Sequence, residues 1–321
     1  SILFCAATGQ TNPARCGIDA GRVHIAQYQP SLLPAFSVAR QAPQEQADAL
    51  TTDDYATVTI PVVFHVLLTE TQLARIGGLA GLEQRIVSQI DVLNEDYNAG
   101  NADSADIPEV FRPLYGNARI RFGLARRHHA TGAAFAGYQL KVLAPGADSA
   151  YEIYSGSAGS KYFCSDAKYD SHKGLAAWPV DRYLNIWVLR ITENGREGVV
   201  GITTPPSFTV SGQVLAQYKD EVGVVLSYGA LGRRAGVFDY FFQSELDQGR
   251  TLTHEIGHFF ELDHIWGINP GCTTDDGIAD TPPQEDANYF CPSYPKQNCT
   301  NSAGGEMFMN YMDYVNDGCM H

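Results

Sequence analysis

Apolar residues recur along the chain with two different periods, which predict strands and one long helix. The β-branched and aromatic run "TVTIPVVFHVLL" at 57–68 predicts the first strand. The next segment, "GLEQRIVSQIDVLNEDYN" at 81–98, places apolar residues at helical spacing and predicts a helix that packs on this strand. Further strands are predicted for the runs "ARIRFGLARR" at 118–127, "RYLNIWVLRI" at 182–191 and "VGVVLSY" at 222–228.

The flanking segments lack this periodicity. Residues 1–56 are rich in Gln, Ala, Pro and Asp, which is typical of an extended leader. After His264 the pattern gives way to loops rich in Gly, Pro, Asn and Asp. We therefore expect an α/β fold (α+β), a mixed sheet with helices. We divide the chain into residues 1–39, the part of the leader that precedes Arg40, residues 40–264, which hold the sheet and helices, and a small irregular lobe at 265–321.

The stretch "THEIGHFFELDHIWG" carries three histidines, at 254, 258 and 264, and a glutamate, Glu255, next to the first of them. His254 and His258 are four residues apart, so a helix projects both imidazoles from one face. Glu255 lies beside them, where its carboxylate can deprotonate a water held by a metal. His264 can reach the same site only if the helix ends near Phe260 and the chain turns back.

Three neutral histidines predict a zinc site with one open position. Zinc in such a site lowers the pKa of bound water toward ~7, which makes hydroxide available at neutral pH. The alternative is a chance H-E-x-x-H in an amphipathic helix, and the third histidine argues against it. The sequence therefore predicts a zinc hydrolase.

Charge and composition argue against several partner classes. The chain of 321 residues has a formal net charge of −14, which argues against a nucleic-acid or anionic-membrane partner. It contains no apolar run of ~20 residues, so no bilayer span is expected. Its oligomeric state cannot be inferred. Since the chain starts at Ser1, we expect that an upstream signal peptide has been removed.

Four of the seven cysteines lie in the last fifty residues, where little core is expected. The alternatives are disulfides or a second metal site, and the absence of a C-x-x-C pair favours disulfides. Disulfides form in an oxidising compartment, so the protein is predicted to be secreted.

Longer motifs carry a family resemblance. They are "TIPVVFHV", "YLNIWV", "GRTLTHEIGH", "HIWG", "DGIADTPP" and "MNYMDYVNDGCM". In this order they resemble the metzincin zinc endopeptidases, and within them the pappalysin group. The resemblance implies a twisted, mostly parallel five-stranded sheet with a backing helix and an active-site helix, and a lower lobe with a methionine-containing turn.

The resemblance also implies roles for single residues. His254, His258 and His264 match the zinc ligands, and Glu255 matches the general base and acid. Met312 matches the methionine under the ligands, although an ordinary core methionine would be nearly the same physically. Tyr314 matches a tyrosine that hydrogen-bonds the tetrahedral intermediate; the alternative is a packed tyrosine with a satisfied hydroxyl.

Asp317 matches an acidic residue at the base of the pocket after the scissile bond. Such a pocket selects Arg and then Lys, whereas a solvated loop aspartate would select nothing. The resemblance implies disulfides Cys272–Cys299 and Cys291–Cys319, where the residues alone allow three pairings.

The loop "TTDDGIADTPPQED" resembles a calcium-binding segment of the group. Its candidate ligands are Asp276, Asp280 and Thr281, whose hard oxygen donors suit Ca²⁺. A merely solvated acidic loop is the alternative.

Near the start, "ARCGID" resembles a cysteine-switch element. A thiolate from Cys16 would then bind the zinc of a latent form, and residues 1–39 would be a pro-segment. The alternative is a disulfide from Cys16 to Cys5 or Cys164. Because the enzyme is expected to cut before arginine, we expect autolytic cleavage between Ala39 and Arg40.

Two features depart from the family. Glu261 stands where the family has a glycine, at a turn that usually needs a left-handed backbone conformation. The chain also ends at His321, where relatives continue. Neither changes the leading hypothesis of a secreted zinc endopeptidase that acts on proteins or peptides. The alternatives are a non-catalytic zinc-containing binding protein, suggested by Glu261, and an esterase or amidase.

Overall fold

The computed structural model of the chain describes ten ranges of residues. They are 56–150, 164–192, 197–206, 209–210, 213–214, 219–234, 241–243, 245–267, 271–302 and 304–321. Cys16, Arg40 and the predicted pro-segment at 1–39 lie outside the described residues, and so does Cys5.

The regular elements comprise three α-helices and ten strands within these ranges. In chain order they are β1 (Val58–Thr69), α1 (Glu70–Arg75), α2 (Gly78–Asp96), β2 (Ile120–Leu124), β3 (Tyr138–Leu143), β4 (Leu184–Leu189), β5 (Gly201–Thr204), β6 (Thr209–Val210), β7 (Gln213–Val214), β8 (Gly223–Ser227), α3 (Arg250–Phe259), β9 (Tyr289–Phe290) and β10 (Tyr314–Val315).

The main sheet has the strand order β2–β1–β4–β8–β5. Strand β1 is long enough to pair twice along one edge, with β2 through Val58–Val62 and with β3 through Phe64–Thr69. Its other edge pairs with β4. These three pairs are parallel, and so is the pair of β4 with β8. In this sheet only β5 runs antiparallel to its neighbour, which is β8. The predicted mostly parallel sheet is confirmed, and its six strands fill five positions because β2 and β3 share one.

The central strands are buried on both faces, which is why they read as continuous apolar runs. All six residues of β4 are buried. One face packs against α2 and α3, and the residues that meet there include Phe64, Val66, Leu82, Ile86, Ile186, Leu226, Leu252 and Ile256. The opposite face carries Leu67, Trp187 and Val225, which pack against Cys164 and Ala167 of the segment that precedes β4. The histidine helix α3 is thus fixed to the sheet by its apolar side.

The lower lobe contains little regular structure and is held by two disulfides. Cys272 is bonded to Cys299, with Cα atoms 5.4 Å apart, and Cys291 to Cys319, with Cα atoms 5.7 Å apart. This is the pairing that the family resemblance implies. Cys164 is buried and belongs to neither bridge. Among the described residues, no helix is long and apolar enough to cross a membrane.

The histidine helix ends in a tight turn that directs the chain back toward it. The N–H of Glu261 donates to the carbonyl of His258, and the N–H of Leu262 donates to the carbonyl of Gly257, each at 3.0 Å. These two bonds define a Schellman motif, which requires a left-handed residue after the helix. Glu261 occupies that position with a φ of 71°. The turn expected from a glycine is therefore formed by a glutamate.

Glycine in place of Glu261 should stabilise the protein. A left-handed backbone costs a residue with a Cβ ~1–2 kcal/mol, and part of this is offset by the greater freedom of glycine in the unfolded chain. We expect Glu261→Gly to raise the free energy of unfolding by about 1 kcal/mol, measured by urea denaturation, with zinc affinity unchanged.

Ala99 provides the matched control, because it also has a positive φ, 53°, but follows α2 rather than the histidine helix α3. Ala99→Gly should give a similar gain. If Ala99→Gly raised the free energy of unfolding while Glu261→Gly lowered it, the account would be contradicted. The Glu261 carboxylate would then stabilise the protein by more than its left-handed backbone costs.

Candidate zinc-protease active site

Three imidazoles converge at the C-terminal part of α3. His254 and His258 project from one face of the helix, and the turn at Glu261 brings His264 against them. The Nε2 atom of His258 lies 3.1 Å from Nε2 of His254 and 3.1 Å from Nε2 of His264. All three side chains are buried. In the part of the chain that is described, they form the only cluster of three or more His, Cys, Asp or Glu residues whose ligand atoms lie close enough together to hold one metal ion.

Backbone carbonyls determine which nitrogen of these imidazoles carries the proton. Nδ1 of His254 lies 2.6 Å from the carbonyl oxygen of Tyr311, and Nδ1 of His258 lies 2.7 Å from that of Leu262. A carbonyl can only accept, so each Nδ1 carries a hydrogen and donates it. In a neutral imidazole the Nε2 atom then presents a lone pair.

Two lone pairs 3.1 Å apart repel each other, and a cation between them removes the repulsion. Protonating both rings would instead place two like charges in a buried site, at high cost. Three converging imidazoles, two of which have Nδ1 held by a backbone carbonyl, are a zinc ligand set of the kind found with an open fourth position. The geometry therefore fits zinc.

Glu255 is fully buried beside the histidines and is held by strand β5. The hydroxyl of Thr203 lies 2.7 Å from the carboxylate Oε2 of Glu255 and 2.8 Å from its backbone carbonyl oxygen. A Cβ atom added to Gly201 would lie 2.4 Å from Oε1. The antiparallel strand thus leaves space for the carboxylate and fixes its direction, which sequence reasoning did not foresee.

Met312 lies directly under the helix that carries the ligands. A Cβ atom on Gly257 would lie 2.3 Å from the sulfur of Met312, so only glycine allows this approach. Met312 also packs with Ile265, Trp266 and Tyr314 in one small apolar cluster. Met312 therefore lies beneath the helix of the histidines, and its match to the methionine of the family's turn stays a prediction.

Tyr314 lies at the edge of the three imidazoles. Its ring centroid is 4.8 Å from that of His264 and 5.8 Å from that of His254. Trp266 stacks on His264 with centroids 4.4 Å apart. Tyr314 is thus placed next to two ligands, and its catalytic role stays a prediction.

Asp313, which sequence reasoning missed, fixes the segment between Met312 and Tyr314. This buried carboxylate accepts hydrogen bonds from the backbone N–H groups of Asn288 and Tyr314 and from the side chains of Gln284 and Asn288. Burial raises its pKa to about 6, against the effect of these donors. The four donors hold Tyr314 beside the histidines.

Asp317 is buried at the N-terminal end of α3. Its Oδ2 atom accepts the backbone N–H of Gln248 at 3.0 Å and of Arg250 at 3.1 Å. A carboxylate at this position caps the helix and complements its dipole. Asp317 is therefore not a solvated loop residue, and its expected role as the base of a specificity pocket stays a prediction.

The acidic loop of the lower lobe gives no support to the calcium site. Asp276 Oδ1 accepts the N–H of Ile278 at 2.9 Å and the hydroxyl of Thr281 at 2.7 Å, so the loop itself uses these groups. Burial raises the pKa of Asp276 to about 6. Asp280 is exposed. The predicted Ca²⁺ remains without support among the described residues.

Comparison with known proteins identifies the family. Residues 168–321 match the Peptidase_M43 family, described as pregnancy-associated plasma protein-A. A mutant of promirolysin from Tannerella forsythia has a similar structure, with a TM-score of 0.72 and 33% identity over 95% of this chain and 88% of that one. Mature mirolysin in complex with a cleaved peptide gives a TM-score of 0.65 and 37% identity over 83% of this chain and 87% of that one.

Fungal extracellular metalloproteases match over a shorter region. Those of Arthroderma otae and Colletotrichum graminicola are 43% and 46% identical over 75 and 72 residues, which are 23% and 22% of this chain. The matched segments span only about a quarter of these relatives, 27% and 25% of their length. The likeness to promirolysin, by contrast, extends over nearly the whole of both chains. The chain therefore belongs to the M43, or pappalysin, family of metalloendopeptidases.

Proposed function

We propose that this chain is a secreted zinc endopeptidase of protein or peptide substrates, with a preference for Arg and then Lys after the scissile bond. The observation that carries the proposal is the convergence of three imidazole Nε2 atoms beside the buried carboxylate of Glu255. The extracellular naming of the fungal relatives and the two disulfides support secretion.

His254, His258 and His264 would hold the zinc. Bound zinc supplies a Lewis acid that makes water acidic near neutral pH and polarises a carbonyl oxygen. Glu255 takes the proton from the attacking water and passes it to the leaving amine. Thr203 keeps the Glu255 carboxylate oriented, and the Tyr314 hydroxyl donates a hydrogen bond to the substrate oxygen as it becomes negative.

The alternative of a non-catalytic binding protein depended on Glu261 reshaping the turn. Since Glu261 adopts the left-handed conformation and forms the expected turn, this alternative loses its basis. An esterase or amidase has no specific observation in its favour.

Replacing Glu255 separates catalysis from metal binding. Glutamine keeps the size of the side chain but cannot take up a proton, so Glu255→Gln should lower the rate of peptide cleavage by about 10²–10⁴-fold. Zinc content, measured by mass spectrometry, should stay at one ion per chain. Exposed Glu109 is the control, and Glu109→Gln should behave like the parent. Full cleavage by Glu255→Gln would rule out the proposed general base.

The proposed arginine preference depends on the negative charge of Asp317. Asparagine keeps an oxygen that can cap α3 but removes the charge, and a charge-assisted hydrogen bond contributes ~1.5–3 kcal/mol. We expect Asp317→Asn to lower kcat/KM for a peptide with arginine after the scissile bond by ~10–100-fold relative to the same peptide with alanine.

Exposed Asp286 in the same lobe provides a control of equal charge change, and Asp286→Asn should leave the ratio of the two kcat/KM values unchanged. If Asp317→Asn lowers thermal stability but leaves that ratio as in the parent, Asp317 only caps the helix and the preference has another origin.

We further propose that the full chain is latent, with Cys16 on the zinc and activation by cleavage at Ala39–Arg40. Promirolysin aligns with 95% of this chain and mature mirolysin with 83%, which supports a pro-segment in this chain.

Cys16→Ala should therefore cleave an internal-arginine peptide at once, while the parent shows a lag that ends as the leader is cut. Cys5 distinguishes the switch from a disulfide between Cys5 and Cys16, because breaking a disulfide at either end has the same effect. Cys5→Ala should keep the lag of the parent. Equal activation by both variants would support the disulfide instead.

A further inference from the structure

Asp96 is a buried carboxylate at the last residue of α2, and donors from three parts of the chain surround it. Oδ2 accepts the hydroxyl of Thr253 on α3 at 2.5 Å. Oδ1 accepts the hydroxyl of Tyr311 at 3.1 Å and the side-chain amide of Asn101. Arg250, also on α3, has its Nε 3.8 Å from Oδ1. Asp96 therefore joins the backing helix, the histidine helix and the methionine turn.

Two of these donors are adjacent to the zinc ligand His254. Thr253 precedes it in the helix, so its hydroxyl anchors the backbone from which the imidazole projects. Tyr311 provides the backbone carbonyl that accepts the Nδ1 hydrogen of His254 at 2.6 Å. The same carboxylate thus holds the ligand from its own helix and from the segment that sets its ring orientation.

We propose that Asp96 is a positioning residue for zinc, which acts through Tyr311 and Thr253 to fix the imidazole of His254. The inference rests on the proposed zinc site and adds a residue to it that does not touch the metal. Outer partners of a ligand set its orientation and strengthen metal binding. A single carboxylate that accepts both hydroxyls couples the two supports of His254, since neither can move without loosening the other.

A purely structural role is the competing explanation, because Asp96 also lies near Arg250. The effect of a charge beside Arg250 can be tested separately from the support of His254, since a second carboxylate binds the same arginine. Asp103 Oδ2 lies 2.6 Å from Nη2 of Arg250, and Asp103 has no hydrogen bond to Tyr311 or Thr253 among the described contacts. Asp103→Asn removes one charge beside Arg250 and leaves the supports of His254 in place.

The experiment measures zinc dissociation constants by chelator competition on the full chain stripped of metal. We expect Asp96→Asn to raise the constant by ~10-fold or more, because the amide cannot accept both hydroxyls as the carboxylate does. Tyr311→Phe removes the hydroxyl contacts to Asp96 and Asn101 but leaves the Tyr311 carbonyl in place, and it should raise the constant in the same direction. The variant that combines Asp96→Asn with Tyr311→Phe should have a zinc dissociation constant no higher than that of the weaker-binding single variant. Both substitutions break the same connection, so their effects should not add. Asp103→Asn should bind zinc like the parent.

Two further measurements separate positioning from loss of fold. The melting temperature of each metal-free variant reports stability, and the absorption spectrum of each cobalt-substituted variant reports ligand geometry. We expect a changed cobalt spectrum in Asp96→Asn and Tyr311→Phe but not in Asp103→Asn. If Asp96→Asn does not fold, Tyr311→Phe alone decides, since it leaves the carboxylate and Arg250 intact.

Equal zinc affinity and an unchanged cobalt spectrum in Tyr311→Phe, or in a folded Asp96→Asn, would overturn the inference while leaving the proposed function intact. Strictly additive losses in the double variant would also overturn it. A parent chain that binds no zinc would overturn the proposed function and this inference together.

Discussion

The Nε2 atoms of His254 and His258, held 3.1 Å apart by the hydrogen-bond partners of the other nitrogen of each ring, create the constraint on which the rest of this site depends. The carbonyls of Tyr311 and Leu262 keep protons on Nδ1 of His254 and His258, which leaves lone pairs facing each other at Nε2. A dication resolves this repulsion and gains three strong ligands. The surrounding structure is arranged so that the rings cannot turn away: Gly257 admits Met312 from below, and Trp266 stacks on His264.

The fold brings these groups together from both of its parts. The sheet and α2 support α3 by apolar packing, while the lower lobe contributes the carbonyl, the methionine and the tyrosine through a short segment. That segment packs in two small apolar clusters, and polar and covalent links position it as well. Asp313 holds it to Gln284 and Asn288, Asp317 holds it to the start of α3, and two disulfides close the loops around it.

Much of the fold could be predicted, because strands buried on both faces and an amphipathic helix leave clear periodic patterns. The structure begins β1 at Val58 and ends β4 at Leu189, close to the predicted runs. Strand β3, with one residue of six buried, and the four-residue β5 were missed because the pattern in each is too short or too mixed. The capping box from Thr69 to Gln72 that begins α1 does have a sequence signal, T-x-x-Q, that was overlooked.

The site, like the fold, could be predicted only in part. Histidine spacing predicted which side chains converge, and the helix end after Phe259 and the left-handed Glu261 agree with the turn that His264 requires. The partners of the ligands could not be predicted, since backbone carbonyls of Tyr311 and Leu262 have no sequence signature. Thr203 and Asp96 were also out of reach, because each lies more than fifty residues from the group that it holds. Only the path of the folded chain brings them together.

The central claim is that three imidazoles of one chain share a single zinc ion. X-ray absorption at the zinc edge, on the full chain loaded with one equivalent of zinc, tests it most directly. The account predicts three imidazole nitrogens at about 2.0–2.1 Å, with the multiple scattering that such rings produce. A spectrum with fewer than three imidazoles, or one that remains unchanged after His264→Ala, would contradict it.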